Sequence, residues 1–310
     1  MCLIALAIDQ SRRFPLVIAA NRDEFFARPA ARLGWWTPDA GGPAVLAGRD
    51  LEAGGTWLGL TAQGRLAMVT NVRNPSRVDP AAPSRGQIVP QWLSGREPTD
   101  RFWMRTALLG YNGFNLIAAD FKRGECFWAS NLDAHPKRLE RGTYGVSNAA
   151  LDTAWPKTNA LKSRVREALS SADSVDALST ALFAALTDRR IADDANLPST
   201  GVPLELEREL SAAFIRAPER QYGTRCSTLV ISERVGRGLI THVMERSYTA
   251  SGAVSLLRQA ALKGWPPRYS DDADTEPVEQ AVVSDAPRTR VRSLLKPAVA
   301  PRRSAKAATP

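Results

Sequence analysis

Cys2 stands second in the opening run MCLIALAI, and Asn21-Arg22-Asp23-Glu24 falls where that run would return along a second one. Removal of the initiator Met1, which a small second residue such as cysteine usually permits, would leave the Cys2 thiol beside a free α-amine. That amine has a reference pKa of about 7.7 to 8.0, so near neutrality an appreciable fraction accepts a proton. One residue then supplies nucleophile and base together. The thiolate is the reactive form, and a nearby cation lowers the cost of making it.

A hairpin is the element that would bring the cation. Residues 2–8 and 16–21 are short apolar runs on either side of DQSRRFP, whose proline and polar residues mark a turn. A turn centred near residue 12 sets Cys2 opposite Arg22, and a slip in that centre sets Asp23 or Glu24 there instead. Each register delivers charge to the cysteine. Arg22 would stabilise a thiolate or a developing oxyanion, and a neighbouring carboxylate would hold the ammonium or orient the arginine. A plainer reading stands beside this one: buried cysteine commonly packs as a small hydrophobe, and NRDEFF alone reads as a helix start or a charged strand end.

Three further hairpins follow from the pattern: TWLGLTAQGRLAMVTNV turning at Gly64, FNLIAADFKRGECFWASN turning at Lys122-Arg123-Gly124, and STLVISERVGRGLITHVME. QIVPQWLSG is a short helix candidate, and residues 157–169 and 174–187, LELERELSAAFI and AVSLLRQAALKGW have helical apolar spacing. Strand runs at both ends with helices between them predict an α+β layered fold. After Trp265 the pattern gives way to PPRYSDDADTEP and a basic stretch, which places the end of the folded domain near residue 269 and a disordered tail over residues 270–310.

The chain of 310 residues is long enough to bury a full core, and 44% hydrophobic with 24% charged residues is ordinary globular composition. Its net charge of +9 is mostly a property of the end: residues 286–310 hold seven Lys or Arg and no acid, which leaves +2 for the rest. Such an end is a solvated segment or a contact for acidic lipid, RNA or a partner; no specific nucleic-acid site is expected. Three separated cysteines, Cys2, Cys126 and Cys226, fit a reducing, cytoplasmic setting better than a disulfide framework. The seven-residue opening run lacks a basic leader, and no run is long enough for an integral membrane segment. Phosphate-loop, metalloprotease and dinucleotide fingerprints are absent from the sequence, and the two histidines, His135 and His242, have no partners at ligand spacing. No metal or cofactor is expected.

NRDEFFARP preceded by MC, with GGTWLGL (54–60), LAMVTNVR (66–73), GFNLIAAD (113–120), YGVSNAALDTAWPK (144–157), LPSTGV (197–202) and QYGTRCST (221–228), resembles the NRDE family, which takes in the transport and Golgi organisation protein 2 group. The resemblance runs in order over about residues 1–265. That family is grouped with N-terminal nucleophile hydrolases, and its start is similar to choloylglycine hydrolases and penicillin V acylases. The resemblance implies a four-layer αββα sandwich with the terminal cysteine on a central strand, and cleavage of linear amides through an acyl-cysteine.

Carried over, Cys2 matches the nucleophile and Arg22 the arginine that ends the second strand. The acylase aspartate falls three residues after that arginine, whereas here Asp23 is adjacent and Glu24 follows; Asp23 is the preferred counterpart. Asn71 and Asn148 match asparagines that present amides to an oxyanion, and Arg225 matches a distal active-site arginine. Their structural alternatives are turn residues for the asparagines and an ion pair for the arginine. The resulting expectation is an amidohydrolase for a small-molecule amide or acyl conjugate. A second expectation, also from the resemblance, is a non-enzymatic carrier of haem, lipid or acyl-CoA.

Overall fold

The opening hairpin sets the architecture. In the computed structural model, which describes residues 2–39, 41–133, 135–267 and 283–285, β1 (Cys2–Ile8) pairs antiparallel with β2 (Leu16–Phe25). Both strands are buried almost throughout, so both faces of their sheet need cover. Successive side chains alternate between faces. Leu3, Ala5, Val17 and Ala19 cluster with helical Leu161, Val165 and Leu182, while Ile4, Leu6, Ile18 and Ala20 cluster with Leu46, Leu60 and Met68 of a second sheet.

The first sheet has the order β10 (Gly142–Val146), β1, β2, β12 (Tyr222–Val235), β13 (Gly238–Tyr248), β14 (Val254–Lys263) and β15 (Ser284–Asp285), with the short β11 (Arg216–Ala217) also paired to β12. The second has the order β3 (Ala30–Trp36), β4 (Val45–Asp50), β5 (Leu58–Thr61), β6 (Arg65–Asn71), β7 (Phe114–Asp120), β8 (Glu125–Ser130) and β9 (Lys137–Arg138). Helices α1 (Ile88–Ser94) and α2 (Thr99–Ala107) cover the second sheet through Trp92, Phe102 and Trp103. Helices α3 (Pro156–Ser171) and α4 (Val175–Leu186) cover the first. The result is the α+β, four-layer αββα sandwich that the resemblance implies.

The four expected hairpins form as β1–β2, β5–β6, β7–β8 and β12–β13. Two helix expectations need correction, and one helix is unexpected. AVSLLRQAALKGW is strand β14: the backbone edge of β13 takes it as a partner, and its second half alternates, with Ala260 and Leu262 buried between exposed Gln259, Ala261 and Lys263. LELERELSAAFI begins as α5 (Leu204–Glu209) but stops there. Its continuation is diverted, because Phe214 N donates to Asp188 O and Ile215 N to Thr224 Oγ1. Helix α2 has no counterpart among the expected elements; Phe102, Trp103 and Thr106 are its buried residues. The tail expected over 270–310 lies outside the described residues apart from 283–285.

Candidate active site

The turn of the first hairpin sets the register Cys2↔Arg22, and β12 on the other side of β2 sets Cys226↔Arg22. Cys2, Arg22 and Cys226 therefore form a row across three strands at one end of the sheet, on the face between the sheets. Cys2, 9% exposed, lines a cavity of about 1240 Å³ together with Arg22, Asp23, Asn71, Trp57 and Tyr222.

Arg22 is the most constrained of these. Its guanidinium lies 4.5 Å from the centroid of the Trp57 ring, and Nη2 sits 3.1 Å from Asp50 Oδ2 and 3.7 Å from Glu24 Oε2. Arg28 Nε reaches the same Asp50 oxygen at 2.7 Å. Burial raises the Asp50 pKa, but the hydrogen bonds from Arg28 and from Ala53 N outweigh it and hold the carboxylate below its ordinary range. Arg22 Nη1 is buried and has no hydrogen-bond partner among the described residues. The Cys2 thiol is pushed up by burial, pulled down by the amino terminus, raised by Asp23 and lowered by Arg22, with a net rise. A thiol in that state needs a base before it can attack.

Asp23 points to the other face of β2, toward the helices. Thr224 Oγ1 donates to its Oδ1 at 2.7 Å. Burial raises its pKa, and the amino terminus and Lys157 pull it back. Lys157, on α3, is itself buried, donates from Nζ to Leu210 O at 2.8 Å, and is brought down to about 8 by burial against the opposing pull of Asp23. Glu24 returns to the Arg22 side. Of the three registers open to the sequence, the structure therefore takes the one with arginine opposite cysteine, and both following carboxylates still line the cavity.

The remaining sequence candidates divide. Asn71 ends β6 and lines the cavity; its Oδ1 and backbone O both accept from Asn148 Nδ2, at 3.2 and 2.9 Å. Its Nδ2 group takes no part in that pair. Asn148, 1% exposed, does not line the cavity, because its amide hydrogens are spent on Asn71. Next to it, Ser147 Oγ donates to Cys2 O at 3.0 Å, so residues 147–148 tie the end of β6 to the start of β1. Arg225 does not line the cavity either. It occupies the bulge in β12 between Thr224 and Cys226 and aims Nη1 at the carbonyls of Phe25, Phe26 and Arg28, at 2.6, 3.0 and 3.2 Å. It clamps the chain leaving β2, with carbonyls rather than a carboxylate as its partners.

Three contributors escaped sequence reasoning. Asp50 orients Arg22. Lys157 stands behind Asp23. Arg85, on a 3₁₀ turn (Arg85–Gln87), lines the cavity. The signal that leads to Arg85 is GGTWLGL: a Cβ on Gly55 would lie 2.3 Å from Gly86 O, and Thr56 N donates to that oxygen at 3.0 Å, so the motif docks the turn that carries Arg85. Trp57 is the ring under Arg22, and Gly48 makes room for it. Among the described residues no group of three His, Cys, Asp or Glu is placed to hold a metal ion.

Residues 1–250 match the family described as Transport and Golgi organisation 2. The Transport and Golgi organization protein 2 homolog of Bos taurus is 34% identical over 273 residues, spanning 81% of this chain and 94% of the relative. The Homo sapiens homolog is 31% identical over 261 residues, spanning 78% and 92%. The Transport and Golgi organization protein 2 of Drosophila melanogaster is 25% identical over 274 residues, spanning 80% and 93%. Among solved structures, the Caenorhabditis elegans ortholog of N-acylethanolamine-hydrolyzing acid amidase aligns with a TM-score of 0.43 at 10% identity, over 74% of this chain and 92% of that one. A mutant conjugated bile acid hydrolase from Clostridium perfringens aligns with a TM-score of 0.38 at 9% identity, over 78% and 92%.

Proposed function

The chain belongs to the Transport and Golgi organisation 2 family, and we propose that it is an N-terminal cysteine amidohydrolase acting on a linear amide or acyl conjugate in the cytoplasm. The observation that carries this reading is the Cys2↔Arg22 pairing at the wall of a large cavity. Loss of Met1 frees the α-amine of Cys2, which takes the thiol proton. The sulfur attacks the amide carbonyl carbon, and the electron pair moves to oxygen, where Asn71 Nδ2 donates to it. Collapse breaks the C–N bond; the departing amine takes the proton from the α-ammonium and leaves a thioester. Water then attacks the thioester, gives its proton to the α-amine, and releases the acid with the thiolate restored. Arg22, held by Asp50 and Trp57, lowers the cost of the thiolate, and Asp23 on the reverse face steadies the ammonium.

The carrier reading draws on one observation, the cavity volume of about 1240 Å³, which exceeds what most small ligands need. A haem would find Cys2 or Tyr222 as its donors there, since neither histidine lines the cavity. Intact mass of the protein from its native cell and turnover of acyl amides by the Cys2→Ala chain separate the two. The hydrolase reading expects loss of Met1, an alkylatable Cys2, and turnover at least about a thousandfold lower in the variant. Retained Met1, or turnover untouched by the substitution, overturns it.

A further inference from the structure

We infer that the end of the sandwich opposite Cys2 is a basic docking face for an acidic lipid membrane, presented by Arg12, Arg141 and Arg234. The face stands apart from the hydrolase chemistry: β1 carries Cys2 at one end and reaches this face at the other, about 20 Å away. The sheet order gathers the arginines. Ile8, the last residue of β1, pairs with Leu16 on one side and Gly142 on the other, and Leu16 pairs with Ser232. The β1–β2 turn with Arg12, the residue before β10 (Arg141) and the end of β12 with Arg234 therefore lie along one edge of four neighbouring strands, about 15 Å wide. Arg12 and Arg234 line two adjoining concavities of about 530 and 590 Å³, and Arg141 lines the first.

The backbone of this edge is fixed while its charges are left over. Arg234 N donates to Arg13 O at 2.8 Å and Arg234 Nε to Arg12 O at 3.3 Å, so the β12–β13 tip and the β1–β2 turn form one ledge. Arg13 spends its guanidinium on Glu233, at 2.7 Å, and on Asp173 O. Arg12 and Arg141 are exposed, and their side chains have no hydrogen bond or ion pair among the described residues. Of the two acids that line the concavities, Glu233 is answered by Arg13, and Asp9 is exposed. Arg12, Arg13, Arg141 and Arg234 against these two leave a net +2.

Guanidinium groups spread along a projecting edge suit an extended anionic surface, where each needs only to come near and none has to share a ligand atom with another. Near an acidic leaflet each arginine raises the partition about fivefold. Val235, 49% exposed at the tip beside Arg234, adds an apolar side chain that can enter the headgroup boundary. Neither turn offers a nucleic-acid base a stacking ring: Phe14, the aromatic residue of the first, is 1% exposed, and residues 233–238 contain none. Docking by this edge keeps the Cys2 cavity at the opposite end of the strands.

The test follows the full chain in sedimentation with phosphatidylcholine vesicles, made with and without phosphatidylserine. Binding is expected only with phosphatidylserine and is expected to weaken as salt is raised. Arg12→Gln, Arg141→Gln and Arg234→Gln together should lower it about a hundredfold, the same three changes to Lys by far less, and Val235→Ser by about threefold. The basic stretch after residue 285 supplies the control: Arg288→Gln, Arg290→Gln and Arg292→Gln remove the same charge from elsewhere in the chain and should leave most of the binding. No binding to the acidic vesicles, equal losses from the two triple Gln variants, or a Lys variant as weak as its Gln counterpart overturns the inference. So does tighter binding of a mixed-sequence RNA duplex than of the vesicles with the same dependence on the three arginines, which would make the face a nucleic-acid site.

Discussion

Arg22 and Asp23 are neighbours in sequence and opposites in space. Strand alternation sends Arg22 between the sheets and Asp23 toward α3, where Lys157 waits. The pairing of Cys2 with Arg22 was legible because it depends on one short turn, whereas Lys157 was not, because 134 positions of chain separate it from Asp23. Its burial has a measurable sign. The folded-state pKa of about 8 lies below the ordinary 10.5, so between those values the unfolded chain binds more protons than the folded one. Stability from this group therefore rises with pH through that window, by up to about 3 kcal/mol. Asp23, Arg73, Cys2 and Glu207 are the charges that act on it. Lys157→Met should flatten the stability profile between pH 8 and 10.5 in urea unfolding; a variant whose profile parallels that of the parent would refute this account.

Elements that answer to local pattern were readable, and those that answer to a distant partner were not. The hairpins combine short apolar runs with local turn residues, such as Gly64 at φ +98°, and all four formed where expected. AVSLLRQAALKGW has an apolar spacing that suits a helix, yet the open edge of β13 makes it a strand. GGTWLGL shows a third case, in which the motif is visible but its purpose lies elsewhere in the chain. Gly55 has room for no side chain because the backbone of Gly86 presses on it, and that contact fixes the turn bearing Arg85. Gly55→Ala should therefore cost about 1–3 kcal/mol in stability and, in the same protein, raise KM for a substrate of the cavity more than it changes kcat. Thermal denaturation and steady-state kinetics check both halves; a variant with unchanged melting temperature and KM would show that the close approach constrains nothing.

At the scale of the molecule, the two sheets are fastened at two levels along the strands. Trp265 is fully buried between them, donates from Nε1 to Thr61 O at 2.9 Å, accepts at its carbonyl from Thr241 Oγ1 at 2.5 Å, and meets the Phe121 ring edge to face at 5.3 Å. Leu33 adds a second fastening nearer the cavity, at the level of Ala20: its N–H donates to buried Glu245 and its carbonyl accepts from Arg258, both of the opposite sheet, at 2.8 and 3.0 Å. Thr241 pairs with Ser232, and Ser232 with Leu16. Trp265 thus closes the sandwich at the Leu16 end of β2, six residues or about 20 Å from Arg22. This separation makes stability and function separable by mutation. Trp265→Ala should cost about 3–5 kcal/mol and lower the melting temperature by roughly 10 °C. At a temperature where the variant is still folded, its affinity for a cavity ligand and its Cys2 alkylation rate should equal those of the parent. If alkylation or binding changed along with stability, the cavity would depend on the far fastening and the two ends would form one cooperative site.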